Sequence, residues 1–326
     1  MQGKIALEEH FANQETIEDS NGFLPADTWA ELKGRLLDMQ ERRIAEMDAA
    51  GIEIAILSLN APAIQAIWDA DQAVEVARRA NDFLAEEIAK NPKRYLGFAA
   101  LPMQDPARAA EELRRCIEEL GFVGSLVNGF SQVGSEDDMT FYDEPQFDEF
   151  WAEAARLDRP FYLHPRNPIP MGGQIYKDNP WLLGPTWAFG QETAVHALRL
   201  MGSGLFDRHP DFQVILGHMG EGIPFSLWRI DHRNQWTWTD QPHNYRAQKK
   251  IVDYFRNNFY LTTSGNFHTP TLNCAINEIG VDRVLFSADW PFENMDHAAE
   301  WFDNAEIDED TRNKVGRDNC VRLFGL

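Results

Sequence analysis

Short apolar runs recur along the chain at residues 4–7, 53–59, 95–100, 122–127, 160–163, 213–216, 258–263 and 283–286. Several are continuous in Val, Ile, Leu and Phe, the pattern of parallel strands buried on both faces. Helical patterns separate them, predicted over 31–50, 71–90, 106–120, 146–157, 187–201, 223–234, 245–256, 270–279 and 297–303. The second of these carries Val74, Ala77, Ala80, Leu84 and Ile88 at close to a 3.6-residue period, and Asn91-Pro92 ends it. Gly51 stops the first, while Pro106 and Gly121 bracket the third. Strand alternating with helix eight times predicts a single-domain (β/α)8 TIM barrel over residues 1–326. No GxGxxG follows the first run, so nothing favours an open dinucleotide-binding sheet. Irregular insertions at 11–25, 128–145 and 165–185 follow strands one, four and five, on the face where barrel chemistry is done.

The strand ends carry the polar residues. Run one ends in Glu8, Glu9 and His10, run five in His164-Pro165, run six in Gly217-His218-Met219-Gly220-Glu221, and run eight in Ser287-Ala288-Asp289-Trp290-Pro291. Alternation in an extended chain puts Glu8 and His10 on one side and Glu9 on the other. Glu8, His10, His164 and Asp289 together make a mixed carboxylate and imidazole set suited to one divalent ion such as zinc or manganese. His218 reads as a further ligand or a neighbouring acid/base, or as a strand-end imidazole bonded to backbone; Glu221 reads as orienting His218 or as a favourable carboxylate near a helix N-terminus. His196, His209, His243, His268 and His297 read as structural or surface residues. Arg229 and His232 fit a charged helix face, with a substrate anion or a neighbouring subunit as the alternative for Arg229.

Composition narrows the partners. Thirty Lys and Arg against 52 Asp and Glu give a net charge of −22, which argues against nucleic acid. The three cysteines, Cys116, Cys274 and Cys320, form no CxxC pair and read as reduced thiols of a cytoplasmic protein. The N-terminus does not read as a signal peptide, and no run approaches the roughly 20 apolar residues of a membrane helix.

Longer stretches carry a resemblance that covers nearly the whole chain. They are Gly3-Lys4-Ile5-Ala6-Leu7-Glu8-Glu9-His10-Phe11, Ser58-Leu59-Asn60-Ala61-Pro62, residues 122–130, Phe161-Tyr162-Leu163-His164-Pro165-Arg166, Gly217-His218-Met219-Gly220-Glu221, Arg229-Ile230-Asp231-His232-Arg233 and Phe286-Ser287-Ala288-Asp289-Trp290-Pro291. In these the chain resembles the amidohydrolase superfamily, and within it the aromatic acid decarboxylases related to aminocarboxymuconate semialdehyde decarboxylase. The resemblance implies one Mn2+ or Zn2+ on Glu8, His10, His164 and Asp289, and no organic cofactor. It implies catalytic roles for Asp289, His218 and Glu221, and substrate contacts from Phe23, Asn128, Arg229 and Phe292. Many hydrolase relatives carry His where this chain has Glu8, and binuclear members a modified Lys at the end of strand four, where this chain has Val127-Asn128-Gly129. The implied reaction is reversible, non-oxidative decarboxylation of a small aromatic carboxylate by metal chelation and protonation of the carboxyl-bearing carbon. His10 tilts the substrate toward 2,6-dihydroxybenzoate over 2,3-dihydroxybenzoate or salicylate. A metal-dependent lactone or ester hydrolase would use the same residues, and a non-catalytic metal-binding barrel is a third reading. The resemblance also implies a homotetramer, a dimer of dimers, with 173–187 and 228–238 as candidate contacts.

Overall fold

The computed structural model describes residues 1–20, 26–170, 173–234 and 245–326; Phe23 and part of the 228–238 stretch lie outside them. The strands are β1 Lys4–Phe11, β2 Ile52–Leu59, β3 Tyr95–Ala99, β4 Gly124–Asn128, β5 Phe161–His164, β6 Val214–Leu216, β7 Phe259–Thr262 and β8 Val284–Leu285. They pair in parallel, each with the next in sequence. A bridge between Leu7 and Ser287 joins the last strand to the first. All eight predicted strands are present, most shifted or trimmed by one or two residues.

Between and after them lie α1 Ala26–Leu37, α2 Arg42–Ala50, α3 Ala70–Lys90, α4 Pro106–Glu118, α5 Asp148–Leu157, α6 Ala188–Gly202, α7 Leu205–Arg208, α8 Ile223–Asn234, α9 Ile251–Asn258, α10 Thr269–Ile279, α11 Met295–Asn304, α12 Glu309–Asn313 and α13 Asn319–Phe324. Their ends follow local chemistry. Asp69 caps α3 by accepting the Gln72 amide at 2.9 Å, and Gly51 closes α2 at φ 68°.

Two predicted helices differ from the observed ones. The 31–50 stretch is two helices, not one. The Asp38 carboxylate accepts the amides of Gln40, Glu41 and Arg42 at 3.0–3.1 Å, a local alternative to helical bonding that breaks α1 from α2. The 245–256 helix starts only at Ile251. There Asp231 of α8 takes the amides of Ile251 and Val252 at 2.8 and 3.1 Å and so fixes where α9 begins.

Two apolar layers build the barrel, and a small third cluster of Ala12, Ile17, Trp29, Leu32 and Leu36 seats α1 beside it. The strands' outer faces pack on the helices in one large cluster. Ile5, Leu7, Ile56, Phe98, Leu126, Tyr162, Ile215 and Leu285 fill the barrel interior, and Cys320 and Phe324 of α13 pack with them. That filling leaves the carboxyl ends of the strands as the place where polar side chains converge.

Candidate metal centre

β1 delivers two ligands through an irregularity. Ile5 and Leu7 belong to the interior cluster and Ala6 to the outer one. Strict alternation from there would turn Glu9 inward and Glu8 outward. Instead the pairing with β2 slips, Ala6 opposite Ala55 but Glu9 opposite Leu57, so β1 carries one extra residue. Glu8 takes up the bulge at φ 60°. The phase shift brings Glu8 and His10 to the same site and sends Glu9 the other way.

Glu8, His10, His164 and Asp289 each offer a ligand atom, all within 4.8 Å of one another. His164 Nε2 lies 3.2 Å from Glu8 Oε1, and His10 Nε2 lies 3.3 Å from Asp289 Oδ1. Glu8 Oε1 and His10 Nε2 are buried and have no hydrogen-bond partner among the described residues. Buried polar atoms are rarely left so, and here both face the common centre. A divalent ion bound by two oxygens and two nitrogens satisfies them, so the residues fit the group.

The surroundings prepare these atoms. Ser58 Oγ lies 3.1 Å from His10 Nδ1, which fixes that ring nitrogen and leaves Nε2 free. Burial, with His10 adding to it, holds the His164 imidazole below its ordinary range, hence neutral and able to give a lone pair. Burial works against ionising Glu8, but His218, His164 and His10 outweigh it and keep the carboxyl far below the usual carboxylate range.

Glu9 faces the outer layer as a clamp on the chain that carries Asp289. Its carboxylate accepts the amides of Ala288 at 2.9 Å and Trp290 at 3.2 Å. Burial, reinforced by Asp289, pushes its carboxyl up to about 8 against the pull of those amides and Arg43. Arg43 donates to His10 O at 2.6 Å and lies over the Trp290 ring at 4.0 Å.

His218 stands beside the four ligands. Its Nδ1 meets Glu221 Oε1 at 2.7 Å, and its Nε2 faces Glu8 Oε1 at 3.5 Å and Asp289 Oδ2 at 3.6 Å. Burial disfavours the cation, but Glu221, Glu8 and Asp289 raise the imidazole well above its ordinary value. Glu8, His218, Met219, Glu221 and Asp289 all have positive φ, between 51° and 73°. Strained backbone gathered in one place is held there by surrounding structure.

The other expected site residues are spread out. Asn128 is buried at the end of β4, in register with His164, and its Oδ1 has no hydrogen bond among the described residues. Phe292 stands edge-on to the His10 ring, with centroids 5.5 Å apart. Arg229 is exposed on α8. His196 is structural as expected: its Nε2 accepts the Tyr142 amide at 3.1 Å, and burial depresses it to about 3.

Sequence reasoning passed over Ser58, Tyr162, Thr262 and Ser264, which hold the ligands, because they lie within or just after apolar runs. The hydroxyl row Thr262-Thr263-Ser264 at the end of β7 was the available signal.

A family model for amidohydrolases matches residues 25–326. This chain belongs to the amidohydrolase family. This amidohydrolase is 63% identical over 326 residues to the γ-resorcylate decarboxylase of Rhizobium sp. (strain MTP-10005), covering 100% of this chain and 99% of that one. It superposes on a crystal structure of 2,6-dihydroxybenzoate decarboxylase in complex with 2,6-dihydroxybenzoate at a TM-score of 0.96, with 63% identity and both chains fully covered. A dihydroxybenzoic acid decarboxylase from Polaromonas sp. JS666, with bound manganese and the inhibitor 2-nitroresorcinol, matches at a TM-score of 0.96 and 64% identity. That comparison covers 100% of this chain and 98% of the other.

Behind the site, the amidohydrolase buries Glu192 on α6 with neither carboxylate oxygen hydrogen-bonded among the described residues. Burial, with Glu221 adding and Arg166 opposing, raises its carboxyl from 4.5 to about 8. The folded state therefore holds a proton that the unfolded chain releases between those values. Stability is full below about pH 4.5 and falls as pH rises toward 8, by at most about 1.4 kcal/mol per pH unit. Glu192→Gln is expected to melt progressively higher than the parent as pH is raised from 5 to 8. Melting curves across that range check it, and a pH-independent difference would contradict the assignment.

Proposed function

We propose that residues 1–326, as a single domain, catalyse the reversible, non-oxidative decarboxylation of 2,6-dihydroxybenzoate to resorcinol and carbon dioxide. The observation that carries the reading is the convergence of Glu8, His10, His164 and Asp289 beside the His218–Glu221 pair. The high identity to γ-resorcylate decarboxylase supports the choice of substrate. Glu8, His10, His164 and Asp289 would hold the ion, with manganese favoured by the manganese-bound relative. When bound, it supplies the Lewis acidity that anchors the substrate carboxylate and stabilises an adjacent phenolate.

Direct loss of carbon dioxide would leave an aryl anion outside the π system. Asp289, carrying a proton as substrate binds, delivers it to the carboxyl-bearing carbon, and the ring loses aromaticity. The bond to the carboxylate then breaks, its electron pair returns to the ring, and carbon dioxide departs. Asp289 is left ionised and takes up a proton for the next turnover. His218, cationic and braced by Glu221, steadies negative charge beside Asp289. Asn128, Phe292, Phe23 and Arg229 are assigned to substrate contact.

The test is the manganese-loaded protein on 2,6-dihydroxybenzoate, 2,3-dihydroxybenzoate, salicylate and aryl lactones. Resorcinol from the first, and 2,6-dihydroxybenzoate from resorcinol at high bicarbonate, support the reading; acid release from lactones alone would replace it with hydrolysis.

Gly265 offers a second check. It sits at φ 58°, and a Cβ there would lie 3.1 Å from His218 Cδ2 and 3.2 Å from Asp289 Oδ2. Gly265→Ala is expected to lower turnover by on the order of 100-fold in a folded protein, since small misplacements of reacting groups are costly. Circular dichroism and steady-state kinetics on one preparation check it.

The assembly is assigned as a homotetramer. Phe225 and Trp228 are 89% and 74% exposed one turn apart on α8, with Arg229 adjoining, and Ile175, Trp181 and Trp187 are exposed on the loop after β5. Apolar surface of this kind favours a protein contact. Light scattering of the parent and of Trp228→Glu tests it, with a shift to smaller species expected of the variant. The free cysteines fit a reducing cytoplasm.

A further inference from the structure

We propose that Tyr162, Thr262 and Ser264 are positioning residues that hold one oxygen of Glu8, so that Glu8 meets the metal through the other oxygen alone. The inference rests on the metal-centre reading and goes beyond it. Glu8 Oε2 accepts the Tyr162 hydroxyl and, at 2.5 Å, the Ser264 hydroxyl. Thr262 Oγ1 lies 2.9 Å from Tyr162 Oη, 2.7 Å from Ser264 Oγ and 3.4 Å from Glu8 Oε2. All three side chains are buried. The partner oxygen, Oε1, has no hydrogen bond among the described residues and faces His164 and His218. The carboxylate is thus divided, one oxygen saturated by hydroxyls and one left open.

Two further features belong to the same arrangement. Ser264 Oγ accepts the His218 amide at 3.2 Å, so one hydroxyl ties a metal ligand on β1 to the imidazole beyond β6. Gly217 supplies the space: a Cβ there would stand 2.9 Å from Glu8 Oε2 and 3.2 Å from both Ser264 Oγ and Tyr162 Oη. A carboxylate at this position needs such support. In the apolar barrel an oxygen without donors would be costly to ionise, and a freely turning carboxylate would offer either oxygen, or both, to the ion. The hydroxyls remove that freedom and set where the ion sits relative to His218.

The test measures manganese affinity, from the electron paramagnetic resonance signal of free Mn2+, and the melting temperature of the metal-free protein. It compares the parent with Tyr162→Phe, Ser264→Ala and the control Tyr142→Phe. Tyr142 is fully buried and bonds Ser131 at 2.9 Å, so the control makes the same chemical change at a tyrosine that does not hold Glu8. Tyr162→Phe and Ser264→Ala are each expected to weaken Mn2+ binding about 10-fold or more, and Tyr142→Phe less than about threefold. A purely structural role would move the metal-free melting temperature and leave the affinity alone. Affinities within threefold of the parent for both variants, or an equal loss in the control, overturn the proposal. If Tyr162→Phe fails to fold, Ser264→Ala, which removes a single oxygen, decides alone. A parent that binds Mn2+ tightly but turns over no dihydroxybenzoate refutes the functional reading and leaves this one intact.

Discussion

Asp289→Asn is expected to lower turnover of 2,6-dihydroxybenzoate by on the order of 1,000-fold while the protein keeps its fold and part of its metal affinity. Asn has nearly the shape of Asp and keeps an oxygen toward the centre, so the clamp from Glu9 to the Ala288 and Trp290 amides survives the change. What it lacks is a proton to give. The decisive comparison is metal content against turnover on the same preparation. Full metal with lost turnover supports proton donation by Asp289; unchanged turnover refutes it. Loss of both would reduce Asp289 to a ligand. His218 lies 3.6 Å from Asp289 Oδ2 and would be the next candidate donor.

Removing the metal is expected to abolish turnover and to lower the melting temperature, and added Mn2+ to restore both. The reason is the packing. Glu8, His10 and His164 are buried, and Glu8 Oε1 and His10 Nε2 have no hydrogen bond among the described residues. Without the ion the folded state keeps these atoms desolvated and unpaired. An ion that binds only the folded state adds about 2.7 kcal/mol at a hundredfold excess over its dissociation constant. His164 must be neutral to bind, and burial already holds its imidazole below the ordinary range, so manganese affinity should fall only as pH drops far enough to protonate it. Chelation followed by calorimetry with and without Mn2+ checks the stability, and a metal-free protein that melts and reacts like the parent would refute the site.

Much of this protein is legible along the chain. Eight apolar runs become eight strands because a strand buried on both faces has no other composition open to it. The ligands are legible because barrel chemistry gathers at strand ends, where Glu8, His10, His164 and Asp289 interrupt apolar sequence. The break at Asp38 was not, since its helix-like flanks conceal a side chain that captures three amides. Nor was the α13 plug, whose Cys320 and Phe324 gain meaning only beneath a closed barrel.

The sequence by itself determined the barrel and the four candidate ligands, because each depends on residue type at a strand end; the pairing of His218 with Glu221 it offered only as one reading, which the 2.7 Å contact decided. Tertiary structure alone decided how Glu8 reaches the centre. Counted from Ile5 and Leu7, simple alternation would turn Glu9 inward; the bulge against β2 reverses the phase. It also decided which Glu8 oxygen stays free, since Tyr162, Thr262 and Ser264 lie 100 to 256 positions from one another or from Glu8 except for the Thr262–Ser264 pair. Hydroxyls so far apart become partners of one carboxylate only when parallel strands close around it.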